Sequence, residues 1–164
     1  MANYFDNIKN VPEHVVAESS RLTATGAGHI YDLEMIADTD NGSIVAVGAH
    51  VEGQLFKAKA YADGDKPYLV LTPPLAYNGR RGQSDEKYFY NAKGEVARAY
   101  ELYVGDIYTV SAKAFEGKGT PAVGKYVDAT HTVAESAGDN YAGQIIEEVR
   151  YTNSVSYRIR VIKL

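Results

Sequence analysis

The chain has 164 residues, no cysteine and a formal net charge of -4 at pH 7. A chain of this length fits one domain that buries most of its apolar surface without disulfides or a metal. The missing cysteine excludes disulfides and thiolate sites and is typical of proteins made in a reducing cytoplasm. The negative charge opposes general binding to nucleic acid. We expect no membrane span and no signal peptide, because the apolar runs are short and the first residues are polar.

The first part of the chain differs from the rest. Residues 1–20 mix polar residues with short apolar pairs and follow neither the period of a strand nor that of a helix. They are interpreted as an N-terminal arm, and residues 21–164 as a single β-barrel-like domain. Residues 29–36 then alternate in the manner of a strand, and the face that carries Leu33 is predicted to be buried.

The dipeptide Asn41-Gly42 is a strong short-range signal of a β-hairpin, because both central residues of a type I′ turn need a positive φ. It predicts that the strand at residues 29–36 returns as a strand at residues 44–47. Two further strand-like runs, at residues 54–61 and 68–71, flank a polar turn. This region therefore predicts a succession of strands and turns.

A long polar connection begins at Pro73-Pro74. Loops of such length usually carry function or lie at contacts. The connection leads into a compact aromatic cluster, Tyr88-Phe89-Tyr90. The next apolar run, at residues 95–102, predicts either a short helix or an extended segment, because short apolar runs do not distinguish the two.

The remaining chain predicts four more strands, at residues 107–115, 124–128, 143–149 and 154–162. The last of these alternates apolar and polar residues, which indicates one buried and one solvated face. Many short strands separated by Gly and Pro indicate an all-β fold. We expect a small β-barrel or sandwich with an extended N-terminal arm and at most one short helix.

The short motifs of the chain do not match known sites of chemistry. Residues 38–42 resemble the start of a calcium loop, but Ala49 stands where a bidentate Glu is needed. The four histidines lack the spacing of a metal site, and residues 117–120 lack the hydroxyl residue that follows the lysine of a phosphate loop. We therefore expect no catalytic residue, cofactor or metal, and no enzyme. Two carboxylates from remote positions of the chain, acting as acid and base, remain an alternative that the sequence leaves open.

Arg80 and Arg81 precede the aromatic cluster at residues 88–90. Basic and aromatic side chains together bind single-stranded nucleic acid, but two arginines on an acidic protein make a weak electrostatic groove. Tyr and Arg are also enriched at the centres of protein interfaces. We therefore favour a protein contact over a nucleic-acid contact or a solvated loop.

Several segments, taken in order, resemble one family of proteins. The segments are IADTDNGSIVAVG, LFKAKAY, LVLTPPLAYNG, KYFYNAKGEVARAYELYVGDIYTVSAKAFEG and VGKYVD. This order, over residues 33–128, is similar to that of the head decoration or cement proteins of tailed bacteriophages that infect Gram-positive hosts. The resemblance implies a small β-barrel that binds the outside of an assembled capsid where neighbouring major capsid proteins meet, often as a homotrimer. It implies no catalytic residues.

The sequence therefore predicts a virion structural protein, made in the host cytoplasm and placed on the capsid exterior. Its partner would be the major capsid protein, and we expect a homo-oligomer, with a trimer favoured, that contacts neither nucleic acid nor membrane. The predicted contact residues are Tyr4, Phe5, Ile8, Val15, Val16, Tyr77, Arg80, Arg81, Tyr88, Phe89 and Tyr90. Two alternatives remain: a phage structural protein associated with the tail or a fibre, and a carbohydrate-binding β module, which the abundance of Tyr alone supports.

Overall fold

The structure is a computed structural model, and it describes residues 12–74, 86–151 and 154–164. Within these ranges the chain is mostly β-strand, with one α-helix of five residues and two short 3-10 helices. The predicted fold class, a small all-β fold with at most one short α-helix, is confirmed. The described strands form two sheets, of which one closes into a barrel.

The barrel has five strands and a narrow interior. The strands are β2 (Ile30–Glu34), β3 (Ile44–Glu52), β4 (Leu55–Ala60), β5 (Tyr68–Val70) and β6 (Val96–Glu101). They follow the order β2-β4-β3-β5-β6, and β6 pairs with β2 to close the barrel. β2 and β4 run parallel, whereas the other neighbours are antiparallel. Ala58, Ala97 and Ala99 lie in the core of the barrel, and such small side chains suit the limited space inside five strands.

The second sheet is antiparallel and is built mainly from the C-terminal part of the chain. Its strands are β1 (Ala17–Arg21), β7 (Ile107–Ser111), β8 (Tyr126–Val127), β9 (Val133–Ala134), β10 (Ala142–Tyr151) and β11 (Ser154–Lys163). They follow the order β1-β7-β11-β10-β8-β9. A short helix, α1 (Thr23–Ala27), connects β1 to β2, and the two 3-10 helices span Glu86–Tyr88 and Ala112–Phe115.

One apolar core joins the barrel to the second sheet. Ile44 and Leu69 alternate with barrel-facing residues, so they point out of the barrel, and they pack in the same buried cluster as Tyr108, Val110 and Ile159 of the second sheet. Burying a large apolar side chain stabilises the fold by about 1.5–3 kcal/mol. The two sheets therefore form one packed body around this shared cluster.

The alternation that predicted the strands matches the observed burial. Leu33 and Met35 are almost fully buried, whereas Ile36, from the opposite face, is 50% exposed. The same holds in β11, where Ile159 and Val161 are buried and Arg160 is exposed. The region that was ambiguous between helix and strand, residues 95–102, contains β6 and is therefore extended.

The predicted hairpin at Asn41-Gly42 is wrong. The strands on either side of it, β2 and β3, are not neighbours: β2 pairs with β4 and β6, and β3 pairs with β4 and β5. Gly42 does turn the chain with a φ of 87°. Asn41, however, lacks the positive φ that a type I′ turn needs, since His131 is the one described non-glycine residue with a positive φ.

Two further expectations need correction. The strand predicted for residues 107–115 ends at Ser111, and the chain continues as the 3-10 helix Ala112–Phe115, which buries Phe115 against the core. The predicted boundary between arm and body falls inside β1, because Ala17–Arg21 pairs with β7. Of the residues interpreted as an arm, 17–20 therefore belong to a sheet, although four of the five β1 residues are exposed.

A chain of buried polar groups crosses the core under the second sheet. The hydroxyl of Tyr108 lies 2.8 Å from the hydroxyl of Tyr141 and 3.2 Å from Nε2 of His131. All three residues are buried, and burial raises the pKa of both tyrosines. Burial, with a smaller contribution from the charge of Lys118, lowers the pKa of His131 to about 4. His131 is therefore a neutral core residue at neutral pH.

Candidate interaction site

The structure describes five of the eleven predicted contact residues. These are Val15, Val16, Tyr88, Phe89 and Tyr90, and each is half-buried. The other six lie outside the described residues, and their predicted role stays a prediction: Tyr4, Phe5, Ile8, Tyr77, Arg80 and Arg81.

The described contact residues come from two remote parts of the chain and meet at one place. The amide of His14 donates a hydrogen bond of 2.6 Å to the carbonyl of Lys87. The ring of His14 stacks on that of Tyr90, with 4.7 Å between centroids and 25° between the planes. We call residues 12–16 and 86–90 together the contact edge. The sequence predicted both segments as contacts but could not show that they adjoin.

Polar and charged groups attach the contact edge to the loop before β3 and join its two segments to each other. Nδ1 of His14 lies 2.7 Å from Oδ1 of Asp40, and the amide of Val15 donates a hydrogen bond of 3.1 Å to Oδ2 of the same carboxylate. Glu13 and Lys87 form a longer ion pair of 3.6 Å. The ammonium of Lys87 also lies 4.8 Å from the ring centroid of Tyr88, a favourable cation–π distance. Residues 13–15 therefore have fixed positions on the folded body.

A small cavity of about 390 Å³ and a cleft of about 280 Å³ adjoin the contact edge. Val15, Pro73, Pro74, Glu86 and Phe89 contribute to the lining of the cleft. Both ends of the polar connection, at residues 74 and 86, therefore lie beside the segment that follows residue 12. The two segments predicted to bind a partner are anchored at the same side of the protein.

Asn41 anchors this side of the protein. Its amide donates a hydrogen bond of 2.9 Å to the carbonyl of Thr72 and accepts one of 3.0 Å from the amide of that residue. The side chain of Asn91 donates a further bond of 3.2 Å to Oδ1 of Asn41. Asn41 is 9% exposed, so these bonds are shielded from water. The residue thus joins the turn, the end of β5 and the segment after the aromatic cluster.

Replacing Asn41 with alanine should lower the free energy of unfolding by about 2 kcal/mol, because three polar groups lose a shielded partner. Urea denaturation followed by circular dichroism measures the change. The matched control is Asn140→Ala, which removes an exposed amide and should stay within about 0.5 kcal/mol of the wild type. Equal stability of the two variants would show that the Asn41 bonds contribute no net stabilisation.

A second cluster of ionisable groups lies at the end of β6 and was not predicted from the sequence. Glu101 is 5% exposed, and its two carboxylate oxygens lie 3.0 Å from Nζ of Lys66 and 3.2 Å from Nδ1 of His29. The hydroxyl of Tyr103 lies 2.5 Å from the same Nδ1. Burial alone would raise the pKa of Glu101, but the hydrogen bonds from Lys66, Tyr103 and His29 hold that pKa below its usual value.

The Glu101 cluster borders a cavity of about 400 Å³, which Tyr61 and Asn140 also line. Both carboxylate oxygens of Glu101 already have protein partners, and the lowered pKa keeps the group ionised. Such a carboxylate is not suited to donate a proton at neutral pH. The four residues of the cluster lie at positions 29, 66, 101 and 103. Because most of them are remote from one another in the sequence, their spacing did not indicate that they form a cluster.

Each of the four histidines contacts a different partner. His14 pairs with Asp40, His29 with Glu101, and His131 with Tyr108, while His50 lies 3.1 Å from the carbonyl of Gly53. Within the described ranges, three acidic or histidine side chains do not converge in an arrangement that could hold a metal ion. The described helices are all too short to span a membrane.

The fold is thus that of an all-β protein with two packed sheets, and the contact edge carries polar and aromatic side chains. Comparison of the chain with protein-family models, with curated proteins and with solved structures found no match. The function is therefore argued from the residues themselves.

Proposed function

We propose that the protein is a bacteriophage virion structural protein that binds the outer surface of the capsid and stabilises contacts between major capsid proteins. It would act as a homo-oligomer, with a trimer favoured, on the exterior of the virion after synthesis in the host cytoplasm. The resemblance in residues 33–128 supports this proposal. The contact edge supports the more general part, which is attachment to a protein surface.

The observation that carries the proposal is the meeting of the two predicted contact segments. Residues 13–16 and 86–90 adjoin through the bond between His14 and Lys87 and the stacking of His14 on Tyr90. One surface therefore presents Tyr, Phe and Val side chains that are half-buried and so retain area for a partner. Aromatic residues of this kind contribute most of the affinity in many protein interfaces.

Attachment at this surface would stabilise an assembled shell by linkage. A protein that binds the junction between capsid subunits, and not the free subunit, shifts the equilibrium toward the assembled state. Such a role needs a rigid body and a matching surface rather than a catalytic centre. The shared core of the two sheets supplies the rigid body.

The test is a titration of the purified protein onto capsids of its phage that lack it. We expect saturable occupancy with a dissociation constant below about 1 μM, as is common for specific protein complexes. The variant Tyr88→Ala should weaken binding by about tenfold or more. Tyr126→Ala is the matched control, because Tyr126 is also half-buried but lies in β8, outside the contact edge, and it should bind as the wild type does.

Electron microscopy of the labelled particle then gives the location. Density on the shell supports the proposal, whereas density on the tail or a fibre would assign the protein to that part of the virion. Absence of binding at micromolar concentration would overturn the proposal. Sedimentation of the free protein measures the oligomeric state.

A further inference from the structure

The dipeptide Asn41-Gly42 is chemically reactive in an unfolded chain. The backbone nitrogen of a glycine can attack the side-chain carbonyl carbon of a preceding asparagine, because glycine has no Cβ that would hinder the approach. The nitrogen loses its proton and bonds to this carbon, ammonia leaves, and a cyclic imide remains. Water then opens the imide to aspartate or isoaspartate. This reaction, deamidation, is one reason why asparagine is a thermolabile residue.

The native turn restrains the attacking nitrogen. The amide of Gly42 donates a hydrogen bond of 2.8 Å to the carbonyl of Val70 at the end of β5. The amide of Val70 in turn donates a bond of 2.9 Å to the carbonyl of Ser43, so two bonds join the turn to this strand. Attack would require the Gly42 nitrogen to give up its proton and to turn toward Cγ of Asn41. Both changes break the bond to Val70.

The side chain of Asn41 is restrained as well. Its amide donates a bond of 2.9 Å to the carbonyl of Thr72, and its Oδ1 accepts bonds of 3.0 Å from the amide of Thr72 and 3.2 Å from the side chain of Asn91. Asn41 is 9% exposed, so water has little access to these groups. Moving Cγ toward the Gly42 nitrogen would leave shielded polar groups without partners, which costs free energy.

The products of deamidation do not fit the native turn. An aspartate at position 41 would place a carboxylate oxygen against the carbonyl of Thr72, where the present amide donates a hydrogen bond. An isoaspartate would lengthen the backbone by one carbon before Gly42. This turn packs closely, since a Cβ on Gly42 would lie 2.9 Å from Cγ1 of Val110. Either product should therefore destabilise the fold.

We infer that Asn41 is a deamidation site that the native fold keeps closed, and that its modification in an unfolded chain lowers the stability of the fold to which the chain returns. Unfolding would thus leave a permanent chemical change at the turn before β3. The reaction needs only water as a second reactant, so it concerns the chain itself and is independent of the proposed function.

The test is mass spectrometry of tryptic peptides after incubation of the wild type, at one pH and temperature, in buffer and in urea that unfolds it. Residues 22–57 form one tryptic peptide, and Asn41 is its single asparagine. Residues 60–80 form another, because trypsin does not cleave before Pro67, and its single asparagine is Asn78 of Asn78-Gly79. Asn78 lies outside the described residues and serves as the reference for the unfolded chain.

In urea, Asn41 and Asn78 should deamidate at similar rates, since both precede glycine. In buffer, Asn41 should react more slowly than in urea by about 100-fold or more, because the reaction must wait for the turn to open. A rate in buffer within about tenfold of the rate in urea would overturn the inference. This comparison uses the wild type and depends on no variant.

The variant Asn91→Ala tests whether the buried amide bonds keep the site closed. It removes a donor to Oδ1 of Asn41 and should raise the rate of deamidation in buffer by about tenfold. Asn140→Ala is the matched control, since it removes an exposed amide, and it should change the rate by less than about twofold. Equal rates in the two variants would contradict the inference.

The effect of modification on stability is measured with wild-type protein that has been partly deamidated in urea and refolded by dilution. The sample is brought to the urea concentration at which half of the unmodified protein is folded, and a brief pulse of thermolysin degrades the unfolded molecules. The fraction modified at Asn41 should be about tenfold lower among the surviving molecules than in the whole sample. Equal fractions would show that modification leaves the fold as stable as before and would overturn this part.

Discussion

Replacing Gly42 with alanine should lower the free energy of unfolding by about 3 kcal/mol, the sum of backbone strain and overpacking. The φ of Gly42 is 87°, a conformation that L residues rarely adopt. A Cβ at this position would also lie 2.9 Å from Cγ1 of Val110 and 3.0 Å from Cβ of Ala17. The added methyl group would therefore push the Gly42 turn away from the paired strands β1 and β7.

Gly94→Ala is the matched control. Gly94 has a similar φ of 82°, but no heavy atom lies within 4 Å of the position that its Cβ would take. This variant should lose only about 1 kcal/mol, through backbone strain alone. Urea denaturation measures both variants, and amide hydrogen exchange should show faster exchange in β1 for Gly42→Ala. Equal losses in the two variants would contradict the close packing of β1 against Gly42.

Stability should fall by about 2 kcal/mol between pH 7 and pH 5 because of His131. Its pKa is about 4 in the folded protein, below the value of 6.5 for an unperturbed histidine. Between these two values the unfolded chain binds more protons than the folded one. The stabilisation from neutral His131 is therefore complete above pH 6.5 and is lost as the pH falls toward 4.

Urea denaturation at pH 7, 6 and 5 measures this dependence. The variant His131→Asn, chosen because Asn tolerates a positive φ, should be less stable at pH 7 but should show a much flatter dependence on pH. His50→Asn, at an exposed histidine, should keep the wild-type slope. If His131→Asn also keeps that slope, then His131 is not the group that links stability to pH in this range.

The features that the sequence predicted correctly are those set by local alternation. Leu33 and Met35 share one face of a strand, and burial of that face is the usual outcome for such a pattern. The same reasoning holds for Ile159 and Val161 in β11. Each pattern depends only on which side of a strand is apolar, so it can be recognised without knowledge of the partner strand.

The partners of the strands could not be derived in this way. Asn41-Gly42 indicated a turn, and the chain does turn there, but β2 before the turn and β3 after it do not pair with each other. β2, for example, pairs with β6, some sixty residues later in the chain. Asn41 instead bonds to Thr72 and Asn91, contacts that exist only after the barrel has closed.

The same contrast between local patterns and contacts of remote residues holds for the candidate site. Composition and loop length predicted that Val15, Val16 and residues 88–90 contact a partner, and the structure places these residues together. They adjoin through contacts of His14 with Lys87 and Tyr90, which are remote in sequence, so no local pattern indicates them. The Glu101 cluster was missed for the same reason, since its members lie in four separate segments.

The strands of the two sheets are distributed differently along the chain, and this distribution determines when each sheet can form during synthesis. All five barrel strands lie between residues 30 and 101, so they are complete once that part has left the ribosome. β1 precedes them, but its partner β7 begins at residue 107. Among the described strands β1 is the first to be synthesised, yet its partner β7 is made only after all five barrel strands. We therefore expect β1 to dock onto β7, together with the stretch of residues 12–16 that leads into β1, after the barrel strands have been synthesised.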